Sequence, residues 1–338
     1  MMKYIKLGKI CNIKTGKLDA NASSENGIYP FFTCSREPLK ISSYSYDCEC
    51  VLVAGNGELN VKYYNGKFDA YQRTYIIEVL DKIKYSTKFL YLLINSKMEE
   101  LRNASIGGVI KYIKLGNLTD IDVPIIAIDK QNDIVNNMLS MNKVIRLKKS
   151  QIKKFDVLIK SQFVEMFENK NYPRMTGKEL FTFSSGKFLE ESKRKNSGFP
   201  VYGGNGITWY TDQPLIDFDT IIFGRVGAYC GNVKKVNEPV WITDNAIYIK
   251  KFRTDAFNLN FLFNMLEFID FSRFAQHSGQ PKITQKPLEE YNYVIPPIEE
   301  QLKFSKIVEQ IDKQKFKFEK SLKKLEELQA SLMQEYFG

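Results

Sequence analysis

From Gln131 to Phe167 the apolar residues fall on alternating steps of four and three: Ile134, Met138, Met141, Ile145, Ile152, Phe155, Ile159 and Met166, with Lys148 as the charged intruder. The same rhythm returns near the C-terminus in Phe304, Val308, Ile311, Phe318, Leu322, Leu325, Leu332 and Tyr336, interrupted by Lys315 and Gln329. Two apolar positions in seven make a narrow stripe, the signature of helices that pack along their length. Each predicted helix is roughly 35 residues and about 50 Å long, more than a surface helix of a globular domain needs. Facing the two stripes as an antiparallel coiled coil buries both. Asp129 and Asp133 open the first helix, and Glu299 and Glu300 the second, where negative charge complements the helix dipole. Pro296 and Pro297 halt the preceding strand.

Ahead of each helix the texture changes. Short apolar runs (VLVAG from Val51, TYIIEV from Thr74, DTIIFG from Asp219, NAIYIKK from Asn245) alternate with the turn signals GNG, YNGK and GGNG, the rhythm of short strands in a compact sheet. Residues 87–103 and 258–274 each predict one helix. The fold class is therefore α+β: two similar, mostly-β domains, each followed by a long helix.

A shift of 170 residues lays one half on the other. Gln131 meets Gln301, Ile128 meets Ile298, Ile113 meets Ile283 and Leu118 meets Leu288; TGK at Thr15 meets SGK at Ser185, and VLVAGNG at Val51 meets IIFGRVG at Ile221. One offset shared by glycine, apolar and polar positions indicates a tandem duplication. It predicts domains 1–128 and 169–298, helices 129–168 and 299–338, and a pseudo-twofold molecule.

Composition narrows the chemistry. Among 338 residues with 43% hydrophobic content there is material for two cores. Neither a signal peptide nor a membrane span is readable, and five cysteines without a pairing framework suit a reducing compartment, so a cytoplasmic location is expected. A single histidine, His277, cannot build a usual zinc site, and it reads as a loop residue rather than a catalytic base. No phosphate-cradling motif occurs, GGNG at Gly203 reads as a hairpin turn, and no catalytic tetrapeptide of the amino-methyltransferases is present. No catalytic residue, cofactor or metal is expected.

The net charge of +10 divides as +4 over 1–128, +3 over 129–168, +3 over 169–298 and zero over 299–338. Basic, amide and aromatic residues gather in turn-rich stretches of both domains. The first holds Lys62, Tyr63, Tyr64, Lys67, Tyr71, Gln72 and Arg73; the second holds Lys193, Arg194, Lys195, Tyr202, Asn205, Trp209, Arg225 and Tyr229. Lys and Arg neutralise phosphates, and Arg, Asn and Gln make bidentate contacts to base edges, so these are candidate DNA-binding residues.

IPPIEEQ at Ile295 and the looser IIAIDKQ at Ile125, with SGK and GFPVYGGNGI in the second domain, resemble the DNA-specificity subunit of type I restriction-modification systems. The resemblance covers the whole chain. It implies two target-recognition domains that each read one half of a split double-stranded DNA site, with helices that set the gap. It further implies docking of two methyltransferase subunits and of restriction or translocase subunits, which supply S-adenosylmethionine and ATP chemistry. A specificity subunit of a related type II system and a coiled-coil adaptor that binds protein remain as alternatives.

Overall fold

The computed structural model describes residues 3–168, 170–237, 239–276 and 279–338; His277 lies outside the described residues. The chain divides into two compact units, Met1–Lys149 with Lys320–Gly338, and Ser150–Glu319. Among the described residues no helix is long and apolar enough to cross a membrane.

In the first unit β1 (Cys11–Thr15), β2 (Tyr29–Phe32), β3 (Leu39–Ile41), β4 (Tyr46–Ala54), β5 (Val61–Ala70) and β6 (Thr74–Val79) form one sheet in the order β1-β6-β4-β5-β2-β3. Because strand side chains alternate, Val51 and Val53 of β4 face helix α1 (Thr87–Ser96), while Cys50 and Leu52 join Phe32, Phe68 and Ile76 on the other face. Ser86 starts α1 by accepting a hydrogen bond from the Phe89 amide. Two expectations need correction. YNGK is not a turn: it lies inside β5, where Gly66, at φ 134°, sits opposite Cys48 and takes up the local distortion so that the ladder continues. Residues 87–103 form two helices, because Lys97, at ψ 5°, leaves helical geometry between α1 and Met98–Asn103. The long helix α2 (Ile128–Phe163) follows.

The second unit contains β7 (Phe181–Ser185), β8 (Phe199–Gly203), β9 (Gly206–Thr211), β10 (Thr220–Gly224), β11 (Val233–Val236), β12 (Trp241–Ile242) and β13 (Ala246–Phe252), then helices α3 (Leu259–Phe268) and α4 (Ile298–Phe337). Its strands form two sheets, β7-β13-β10-β11 and β9-β8-β12. Phe181, Phe223 and Ile247 pack with Phe261 and Met265 of α3, whereas Ile222, Ala246 and Tyr248 close a second core with Ile242. Here too the stretch predicted as one helix is interrupted: α3 ends at Phe268, and Asp270 accepts from the Ser272 amide to start a separate 3-10 turn. The duplication is visible strand by strand. Tyr4–Lys6 pairs with Asp122–Pro124 in the first unit as Arg174–Thr176 pairs with Asn292–Val294 in the second.

The two long helices run antiparallel where they meet. In the first unit Gln329 donates to Asn142 at 2.8 Å and Lys149 pairs with Glu326 at 2.8 Å. In the second, the rings of Phe155 and Phe318 stand 5.5 Å apart and Lys315 reaches Asp156 at 2.6 Å. Residue numbers rise on one helix as they fall on the other. Of the stripe residues, Ile134, Met138, Ile145, Ile159, Phe304, Val308 and Ile311 are buried, while Met141, Ile152, Phe155, Phe318, Leu322, Leu325 and Leu332 are half-buried. The stripe drifts at the end of α2. Val164–Glu168 is a π turn, whose i→i+5 bonding rotates the face, so Phe163 and Phe167 enter the core and Met166 stays at its margin.

One side chain per unit ties the start of each long helix to the sheet domain. Gln131 is fully buried; its amide oxygen accepts from the Ser86 amide at 2.9 Å, and its nitrogen donates to the carbonyls of Lys84 (2.8 Å) and Ile126 (3.0 Å). Gln301, equally buried, repeats the set with the Asn258 amide (2.9 Å) and the carbonyls of Ala256 (2.7 Å) and Pro296 (2.8 Å). Replacing Gln301 by Leu leaves three backbone groups without partners. It should cost about 2–4 kcal/mol and lower the melting temperature by roughly 5–15 °C in calorimetry; a loss under about 1 °C would show the network to be dispensable.

A carboxylate cluster in the second unit sets a pH dependence. Burial, then Asp156 of α2 and Asp312 of α4, push Glu267 above the ordinary carboxylate value, and Lys315 pulls it back. The folded state therefore holds this proton more tightly than the unfolded chain. The associated stability is present at low pH and is lost as pH rises from the ordinary carboxylate range through the elevated value. Glu267 keeps contact with water, so the effect is small. The melting temperature of Glu267→Gln should rise relative to that of the parent between pH 4 and 7. Parallel curves would remove Glu267 as the cause.

Candidate nucleic-acid interface

In the first unit four segments that leave strands and the connection after helix Met98–Asn103 converge through hydrogen bonds. The Gly16 amide donates to the Thr74 carbonyl (3.1 Å), Tyr71 to Phe32 (2.9 Å), Gln72 to Leu18 (2.9 Å), Gly55 to Arg73 (2.7 Å), Gly57 to Lys111 (3.0 Å) and Ile113 to Gly55 (2.9 Å). Cys34 adds a contact from its thiol to the Asn56 side chain at 2.8 Å. The packing leaves no room at Gly16, where a Cβ would stand 2.1 Å from the Ala70 carbonyl oxygen. The loops around residues 16, 34, 56, 72 and 110 thus form one braced surface.

The second unit builds the same lattice. Thr243 donates to Tyr202 (2.9 Å), Arg225 to Asn245 (2.9 Å), Gly227 to Pro281 (2.9 Å) and Ile283 to Arg225 (2.9 Å). Gly186 repeats Gly16, with a Cβ 2.1 Å from the Thr243 carbonyl oxygen. The backbone is held alike and the side chains differ. Gly55 in the first unit corresponds to Arg225 in the second, and Arg73 corresponds to Asn245.

Residues 1–155 and 169–330 match the sequence family described as the type I restriction modification DNA specificity domain. The chain belongs to that family. It is 37% identical over 158 residues to the specificity subunit of the type I restriction enzyme EcoDI from Escherichia coli, a match covering 47% of this chain and 35% of that protein. The matched stretch is thus about a third of the relative's length. The fold is similar to that of a type I restriction-modification S subunit from Mycoplasma genitalium, with a TM-score of 0.67 at 20% identity over 100% of this chain and 96% of the other. It is also similar, with a TM-score of 0.66 at 16% identity over 99% and 97%, to a chain from a structural study of complex assembly and conformational transition of the type I system.

The predicted residues of these specificity domains separate into three groups. Gln72 and Arg73 are exposed within the first loop lattice, and Asn205, Arg225 and Tyr229 gather in the second, where Gly204 lies against Gly224 and the Arg225 amide. Arg225 donates from its guanidinium to the Asp244 carbonyl oxygen at 3.3 Å, and its buried Nε has no hydrogen-bond partner. A second group sits on the β8–β9 hairpin. There the Arg194 guanidinium stacks over Trp209 at 4.0 Å, and Lys193, Arg194 and Lys195 approach Glu190, Glu191 and Asp212.

The third group lies along β5 or within a core. Tyr64 packs between Phe32 and Phe68 at 5.0 and 5.6 Å, and Tyr202 lines the core behind β8. Tyr63 donates to Glu49 at 2.9 Å; burial first and then that carboxylate push its hydroxyl up to about 12. Lys67 lies over the Tyr44 ring at 4.7 Å. Lys62 is half-buried, so desolvation holds its amine below the usual lysine value, and it lines a cavity of about 360 Å³ with Arg36 and Arg102. Arg36, Arg102, Asn56 and Asn245 were not anticipated. Only the GNG and GRVG match pointed at Asn56, and nothing local marked the others.

Proposed function

We propose that this chain is the DNA-sequence specificity subunit of a type I restriction-modification complex. Domains 1–128 and 169–298 each read one half of a bipartite duplex site, and 129–168 and 299–338 are its helical spacers. The observation that carries this reading is the repeated loop lattice: one braced backbone presents Gly55 and Arg73 in one unit and Arg225 and Asn245 in the other. Arginine pairs bidentately with guanine and asparagine with adenine in the major groove, so exchanging such residues on a fixed frame changes which base is read. The excess positive charge of both domains supplies salt-dependent attraction to phosphates. In this reading the chain performs no chemistry itself. Two methyltransferase subunits and the restriction subunits dock on it and carry out modification and cleavage.

Replacing residues 1–128 by the corresponding domain of another family member should alter one half of the methylated motif. Methylome sequencing reads this directly, and changes in both halves would end the two-reader scheme. Arg225→Ala, assayed with the methyltransferase subunits present, should weaken cognate binding by about 1–3 kcal/mol, concentrated at one base pair of the second half-site. A uniform loss over all sequences would assign Arg225 to a phosphate; unchanged affinity with a lower melting temperature would make it structural.

A further inference from the structure

The first loop lattice carries an apolar point. Ile106 and Tyr112 pair as a short hairpin, each amide donating to the other's carbonyl (3.0 and 2.8 Å), and Gly107, at φ 118°, turns the chain. At the tip Val109 is 104% exposed and Ile110 63% exposed. Exposed branched aliphatic side chains at a tip have nothing to pack against, yet the base beneath them is firmly held. Tyr112 bridges to Asn56, Gly57 donates to Lys111, and Ile113 is buried and accepts from the Tyr75 hydroxyl at 3.1 Å. The flanks are cationic: from Asn103 to Thr119 the chain contains Lys111 and Lys114 and no acidic residue, the lattice adds Arg73, and Glu58 beside Gly57 is paired with Arg36 at 2.6 Å. The matching hairpin of the second unit pairs Gln276 with Lys282 and has the tip sequence His-Ser-Gly-Gln-Pro, of which His277 and Ser278 lie outside the described residues. The apolar tip therefore belongs to the first domain.

We infer that the 106–112 hairpin is a wedge that inserts Val109 and Ile110 between stacked base pairs of duplex DNA at the first half-site. Apolar side chains on a rigid support, flanked by cations that hold the backbone, are the means by which proteins open a base step and bend a duplex. Burial of the two side chains against bases offsets part of the unstacking, and the step that unstacks most readily is favoured, so the wedge selects sequence through deformability. This rests on the DNA-specificity reading.

The test uses the full chain with its methyltransferase subunits and cognate duplexes, identified by methylome sequencing, that carry 2-aminopurine at successive positions. The parent complex should brighten the probe at one step in or beside the first half-site. Val109→Ser with Ile110→Ser should abolish that signal and weaken cognate binding about 10- to 100-fold, with the melting temperature unchanged because the tip is exposed. Val109→Leu with Ile110→Leu should retain the signal. No brightening at any position with the parent, or full brightening with the serine variant, would overturn the wedge. So would a serine variant whose defect is loss of the methyltransferase subunits, which would make the tip a protein contact. A parent complex without sequence preference would instead remove the specificity reading, and the wedge with it.

Discussion

A buried glutamine holds each unit together at the point where two helices and a sheet domain meet. The amide of Gln131 has one acceptor and two donor positions in use, and they join the N-terminus of α1, the segment before it and the strand exit before α2. Gln301 makes the equivalent set. Asparagine is a methylene too short to keep this span, and glutamate would set a carboxylate oxygen against two carbonyls. That is the physical content of the acidic-Gln openings repeated 170 residues apart: the acids favour the helix start, and the glutamine fixes where the helix leaves its domain.

With the helix starts fixed, the stripes decide the packing. The first half of α2 and the last turns of α4 share a core with α1, where Phe337 meets Phe89 at 5.2 Å. The second half of α2 and the first half of α4 share the other core, where Phe163 and Phe167 surround Phe304. Each compact unit therefore contains chain from both repeats. Lys315, the charged intruder of the stripe, is accommodated because Asp156 meets it from the facing helix and raises its affinity for the proton. A lysine at a stripe position without such a carboxylate would be left partly desolvated and unpaired.

The duplication, the helices and the α+β class were legible because they depend on periodicity and on pairs of identical residues at one spacing. The interface was legible only in part. Gln72, Arg73, Asn205 and Arg225 sit where strands end, and turn signals mark those places. Tyr63, Tyr64 and Lys67 drew attention through YNGK, which reads as a turn but is paired strand. Alternation then sends Tyr64 into an aromatic cluster and Tyr63 to Glu49. Arg36 and Arg102 meet Lys62 across a cavity through contacts distant in sequence, which no local pattern carries.

The lattice explains how a duplicated chain can hold two different surfaces. Gly16 and Gly186 have no room for a side chain because neighbouring backbone lies within van der Waals contact, and the amides of residues 55 and 225 are bound in corresponding ways. These positions maintain the frame, and exposed side chains beside them, such as Gln72 and Arg73, are carried on it. Position 55 belongs to that frame, because a Cβ there would stand 2.4 Å from the Arg73 carbonyl oxygen, whereas the second unit has space for Arg225 at the corresponding place. Stability and display are thereby separated: changes to the outward side chains alter the surface that meets a partner without altering the hydrogen bonds that hold it in place.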